Sequence, residues 1–125
     1  MFDDAENYAA APSLEDGRDI RVLLEEFLLN IFQYVTANGD MMRALIAAAQ
    51  HDTAFHSSFY AKFVLPRDKM ISDLLRLAQT RGEFSPERDA ELVSGFIHGA
   101  FWYRLLNRKP LDARFARAIV SDVFG

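Results

Sequence analysis

Cysteine is absent from the 125 residues, which removes disulfides, thiolate catalysis and cysteine-based metal sites together. A reducing, cytoplasmic location is compatible with that. Basic charge is scarce: 14 Lys and Arg stand against 18 Asp and Glu, a formal net charge of −4. Residues 1 to 19 deepen the deficit, with Asp3, Asp4, Glu6, Glu15, Asp16 and Asp19 against Arg18 alone. Such a chain is a poor holder of a polyphosphate backbone by itself. Missing too is any run near the roughly 18 uncharged apolar residues of a membrane span, because the most apolar stretch meets Arg104. The N-terminal MFDDAENYAAAPSLEDG lacks the basic flank and apolar core of a signal peptide. No membrane association is expected. Strand patterns, phosphate loops, paired buried carboxylates and Ser, His and Asp arrangements are also lacking, so the expectation is a protein that is not an enzyme.

What the chain does contain is grease. Apolar residues make up 50 %, with 11 Phe, four Tyr and one Trp, enough for one globular domain that buries about two thirds of its unfolded surface. The organising stretch is Ser85 to Asn107, SPERDAELVSGFIHGAFWYRLLN. Ser85 can cap its first turn and Pro86 suits the first helical position. Wound at about 100° per residue, Leu92, Gly95, Gly99, Trp102 and Leu106 form one stripe, while Val93, Ile97, Phe101 and Leu105 cover much of the opposite side. A helix apolar all round needs cover all round. In a chain this short, neighbouring helices cover one side, and the same face of a second copy is the favoured cover for the other. Gly95 and Gly99 add to this, since two glycines four apart cost helix stability and leave a groove for a close backbone approach. The plainer alternative is that they admit a bulky side chain of the same chain.

The remaining pattern is helical throughout. Residues 1 to 18, with Pro12 and Gly17, read as a loose arm with a short helix around Glu6 to Ala10. Asp19 caps a helix in which Ile20, Leu23, Leu24, Phe27, Leu28, Ile31 and Val35 recur at helical spacing, ended by Asn38-Gly39 as a left-handed terminator. A second helix follows from Met41 to His51. A third starts from Asp52 or Thr53 and carries Phe55, Phe59 and Phe63, with Pro66 kinking or restarting it. Met70, Ile71, Leu74, Leu75 and Ala78 continue the apolar face to Arg81-Gly82. After the Ser85 to Asn107 helix, Asp112 caps a last one bearing Phe115, Ala116, Ile119, Val120, Val123 and Phe124. The cluster Arg104, Arg108, Lys109, Arg114 and Arg117 is the main basic concentration, read as cations at a helix end plus a solvated face.

The order of these segments resembles the C-terminal domain of tetracycline-repressor-like (TetR-family) transcriptional regulators. The residues that carry the resemblance are RALIAAAQ at Arg43 to Gln50, the F-x3-F-x2-P-R hinge at Phe59 to Arg67, RGEF at Arg81 to Phe84, and YRLL-x3-PLD at Tyr103 to Asp112. The match extends more loosely back to Leu14. The resemblance implies an all-α bundle of five to six helices over residues 19 to 125. Its last two helices would pair with their twofold mates in a dimeric four-helix bundle, and the earlier ones would enclose an effector pocket. The family's helix-turn-helix reading head has no counterpart before Leu14 here. DNA binding would therefore belong to a separate N-terminal domain. The contrasting reading is a stand-alone helical carrier or interaction module with no role in gene regulation.

Candidate sites follow from both lines of reasoning. Phe27, Ile31, Tyr34, Phe55, Phe59, Tyr60, Met70, Leu74, His98 and Trp102 are candidates for lining a pocket for a small apolar or aromatic effector, although most serve equally well as plain core. Leu92, Gly95, Phe96, Gly99, Trp102, Tyr103, Leu106, Phe115, Ile119 and Val123 are the candidate homodimer interface. His98, flanked by Ile97 and Gly99, is either a satisfied core histidine or a polar anchor in a ligand cavity. Asp52 and His56 stand four apart, but Asp52 is better used as a cap and no third ligand is near. No cofactor, metal or catalytic residue is expected.

Overall fold

Asp19 sets the start of the first helix with its own side chain, whose Oδ1 accepts from the Arg21 N–H at 2.8 Å. The structure, a computed structural model, describes residues 18 to 125. The arm expected over residues 1 to 18, with its short helix at Glu6 to Ala10, falls outside the described residues apart from Arg18. From Asp19 the chain runs through α1 (Ile20–Ala37), α2 (Gly39–His51), α3 (Thr53–Phe59), a π-helical turn (Tyr60–Val64), α4 (Leu65–Thr80), α5 (Ala90–Leu106) and α6 (Ala113–Phe124). No strand occurs among the described residues.

The hub is α1, which packs against α2, α4, α5 and α6. Its apolar positions Ile20, Leu23, Leu24, Phe27, Leu28, Ile31, Phe32 and Val35 are all buried, the outcome expected of a helix with a wide apolar stripe. Phe32 reaches two partners at once: its ring meets Phe101 of α5 edge-on at 5.9 Å and stacks on Phe115 of α6 at 5.8 Å. α5 and α6 thus lie side by side across α1. The Ser85 to Asn107 stretch, taken from the sequence as the organising helix, is instead a flank of the bundle. Its greasiness reflects one face covered by the chain and one left bare, the division the sequence reading expected.

Two local readings change, and the one at Pro66 holds. Gly39 is not a left-handed terminator: among the described residues the glycines with positive φ are Gly82 and Gly125, and Gly39 is the first residue of α2. A Cβ there would lie 3.1 Å from the Arg43 guanidinium nitrogens, a tight contact to which that side chain would have to yield by a few tenths of an ångström. The α5 helix begins at Ala90, not near Ser85. Asp89 Oδ1 accepts from the Glu91 and Leu92 N–H groups at 2.9 and 3.2 Å. The preceding turn is pinned by Gln79 Nε2, which donates to the Ser85 and Arg88 carbonyls at 3.0 and 2.7 Å. At Pro66 the α-helix restarts, since α4 opens at Leu65 with the proline in its first positions. The Leu65 N–H bonds back five residues to Tyr60 O, a π-turn that absorbs the ring. The Lys62 carbonyl, four residues before the proline and so denied its usual donor, accepts from Arg67 Nη1 at 3.2 Å.

The ends are tied by cations. Arg88 Nη1 and Arg21 Nη2 donate to the Val123 and Phe124 carbonyls at 2.8 and 3.5 Å, a favourable place for positive charge at the C-terminus of α6. Arg76 joins α4 to α5 by bonding Asp73 at 3.2 Å and Glu91 at 2.8 Å. Among the described residues no helix is long and apolar enough to cross a membrane.

Candidate functional site

The interior candidates converge on one apolar core. Phe27, Ile31, Phe59 and Leu74 are buried in it, and Tyr34, Phe55, Met70 and Trp102 are partly buried against it. Tyr60 stands apart: it is 41 % exposed and stacks beside the His56 ring at 6.3 Å, because the residue after Phe59 is turned about 100° from the line of Phe59 and Phe63 and shares a face with the residue four before it.

His98 is the polar residue of this interior with the clearest chemical handle. It is 7 % exposed, and its ring lies 5.0 Å from that of Phe101. Nδ1 is 2.9 Å from the carbonyl of Ser94, one turn earlier. A carbonyl only accepts, so Nδ1 carries the proton. Burial pushes the His98 pKa below its ordinary 6.5, against the opposing pull of the Ser94 carbonyl and the Asp68 charge. The ring is therefore neutral at pH 7, and Nε2 is an acceptor. It is buried and has no partner among the described residues. A buried acceptor left open costs free energy that a hydroxyl or N–H donor would restore.

Two residues behind His98 escaped the sequence reading. Ser94 is fully buried, and its Oγ donates to Asp68 Oδ1 at 2.6 Å. This joins the first turn of α4 to α5 beside the His98 carbonyl partner. The helical spacing of Ser94 and His98 was visible, but nothing in the sequence paired Ser94 with an acid 26 residues away.

The surface candidates separate by depth. Leu92, Phe96, Tyr103 and Leu106 are between 48 % and 62 % exposed, an unusual concentration of apolar area on one helix. Gly95 and Gly99 lie among them, and a Cβ built on either meets nothing within 4 Å. No side chain of the described residues fills the space they leave, so the plainer account of these glycines has no support there. Trp102 and Phe115 are half-buried, while Ile119 and Val123 are buried. Between α5 and α6 runs an apolar groove of about 240 Å³ whose walls include Phe96, Ile97, Ala100, Phe115, Ile119 and Val123.

Asp52 is used as a helix cap, its Oδ1 accepting from the Phe55 N–H at 3.0 Å. Among the described residues no group of three or more His, Asp or Glu side chains is placed to hold a metal ion.

Comparison with known proteins decides the family. The model described as "Tetracyclin repressor-like, C-terminal domain" matches residues 14–123. The chain belongs to this family. Among curated proteins, this TetR-like domain is 27 % identical over 97 residues to the "Uncharacterized HTH-type transcriptional regulator YdeS" of Bacillus subtilis (strain 168), a match covering 76 % of this chain and 49 % of that protein. The chain thus spans about half the length of that relative. Among solved structures it is similar to the crystal structure of the TetR family transcription regulator SCO0332, with 28 % identity and a TM-score of 0.82. That match covers 98 % of this chain and 68 % of the other. The all-α TetR C-terminal fold is therefore shown by sequence family and by structure.

Proposed function

We propose that this domain is the ligand-sensing and dimerising half of a TetR-family transcriptional regulator, with DNA read by a separate helix-turn-helix domain. The observation that carries the proposal is the bare apolar side of α5. Leu92, Phe96, Tyr103 and Leu106 surround two glycines that open a shallow trough, and the groove beside α6 continues the apolar surface. A twofold copy presenting the same stripe would cover itself and its mate, the isologous arrangement of most homodimers. Both relatives being regulators supports the reading.

In the same proposal, the core around His98 receives the effector. An effector that fits one arrangement of the helices better than another shifts the population toward it, and the spacing of the two reading heads changes with it. The heads must meet half-sites about one DNA turn apart, so a small displacement weakens binding. Only differential affinity matters, because a ligand that binds both arrangements equally switches nothing.

Sedimentation velocity tests the dimer. The chain of 14.2 kDa should run at twice that mass, and replacing Gly95 and Gly99 together by Leu should give monomer or aggregate with helical content retained. An unchanged dimer in the double variant would put the contact elsewhere. Native mass spectrometry of the same sample reports any small molecule carried through purification.

A further inference from the structure

A second site lies at the far end of the bundle from the chain's entry. α1 has 18 residues, about 27 Å at 1.5 Å per residue. Its last turn, the start of α2 and the α5–α6 connection enclose a groove of about 290 Å³, near the lower limit of roughly 300 Å³ for small-molecule sites. Val35 and Leu105 give it an apolar floor, while Arg43, Arg108 and Lys109 put three cations on its walls.

These cations are under-used. Arg43 Nη1 donates to the Leu105 carbonyl at 3.2 Å and Nη2 to Asp40 Oδ1 at 2.6 Å. Nε, which shares an edge of the guanidinium with Nη2, is buried without an acceptor among the described residues. That edge can take a carboxylate two-handed, and Asp40 holds only its Nη2 end. Arg108 reaches Asp40 only at 3.8 Å, and both side chains are mostly in water. Lys109 Nζ sits 5.7 Å from the Tyr103 ring. Asp40 is thus an acid set between two of these cations, Arg43 and Arg108. Its carboxyl is held below the ordinary carboxylate range, first by the Arg43 hydrogen bond and then by the Arg43 and Arg108 charges. An exposed pair of this kind contributes little and is readily exchanged.

The backbone adds an independent sign. The Arg108 N–H bonds Leu105 O at 3.3 Å and the Lys109 N–H bonds Arg104 O at 2.8 Å, with Arg108 at φ 57°. This is the αL helix ending that glycine favours. An arginine there accepts backbone strain, and such positions gather at sites where the side chain is wanted.

We propose that this groove binds a small organic carboxylate, its charge held by Arg43, Arg108 and Lys109 and its apolar body laid on Val35 and Leu105. The site is separate from the core around His98. The test is a two-dimensional ¹H–¹⁵N NMR titration of the chain with acetate, butyrate and benzoate, at constant ionic strength with chloride as control. Saturable shifts of the Gly39, Asp40 and Leu111 amides are expected, tighter for butyrate or benzoate than for acetate. Arg108→Gly should raise the thermal midpoint, by relieving the backbone, while weakening binding at least tenfold. Lys109→Gln should weaken it without moving that midpoint. Saturation by inorganic phosphate but by none of the carboxylates would overturn the assignment, as would shifts that rise linearly and match the chloride control. Undiminished butyrate binding by both variants would overturn it too.

Discussion

His98 illustrates how much a single buried ring can report. Its pKa is depressed in the folded chain, mainly by burial, so the unfolded chain takes up a proton more readily. Stability is then undiminished above the ordinary pKa of 6.5 and falls as pH drops from there through the folded value. Each tenfold reduction of proton affinity is worth about 1.4 kcal/mol. Urea unfolding at pH 7.5 and 5.5 should show that loss in the wild type, and His98→Gln should flatten it. An equal slope in the variant would assign the effect to another group. The burial of this ring was legible in the sequence, since a histidine between Ile97 and Gly99 in an apolar run has little access to water. The open Nε2 was not, because it depends on which side chains fail to arrive. Arg43 was passed over for a related reason. Its carbonyl partner Leu105 lies 62 residues away on α5, and Gly39, packed beside its guanidinium, looks like an ordinary helix stop.

Among the elements, α5 shows why helix ends are harder to place than helix faces. Two good capping residues, Ser85 and Asp89, precede it four apart, and local propensity does not choose between them. The choice is made by Gln79 on α4, whose side chain holds the Ser85 and Arg88 carbonyls and keeps the intervening residues in a turn. Asp89 then carries the cap. Asp89→Ala should cost about 1 kcal/mol in urea unfolding, whereas Ser85→Ala, which loses a 3.3 Å bond to the Glu87 N–H, should cost less than about 0.5 kcal/mol. The reverse order would mean that the helix in solution starts near Ser85. The faces needed no such arbitration. Val93, Ile97, Phe101 and Leu105 fall on the covered side and Leu92, Phe96 and Leu106 on the bare side, as rotation of about 100° per residue dictates. Pro66 lies between these cases. The proline announced a perturbed helix, but the π-turn and the Arg67 bond that mend it depend on a side chain folding back against its own helix.

For the whole molecule, the proposed dimer makes folding and association one equilibrium. A lone chain leaves Phe96 at 62 % and Tyr103 at 57 % exposure, area that contributes to stability only when a second copy removes it from water. If native chains pair and unfolded chains do not, raising the concentration favours the folded state by mass action. A tenfold rise adds about 1.4 kcal/mol per dimer, or about 0.7 kcal/mol per chain, enough to move the thermal midpoint by a few degrees in a domain of this size. Calorimetry across a hundredfold range of concentration should therefore show a midpoint that climbs steadily in the wild type. With Gly95 and Gly99 both replaced by Leu, the trough between Leu92 and Phe96 is filled and the midpoint should lose its dependence on concentration. The covered faces of α5 and α6 would keep their contacts with α1 in that variant, so cooperative unfolding should persist. A wild-type midpoint that stays fixed over the whole range, far above any plausible dissociation constant, would leave the aromatic side of α5 in water on a single subunit and remove the physical basis for a twofold regulator.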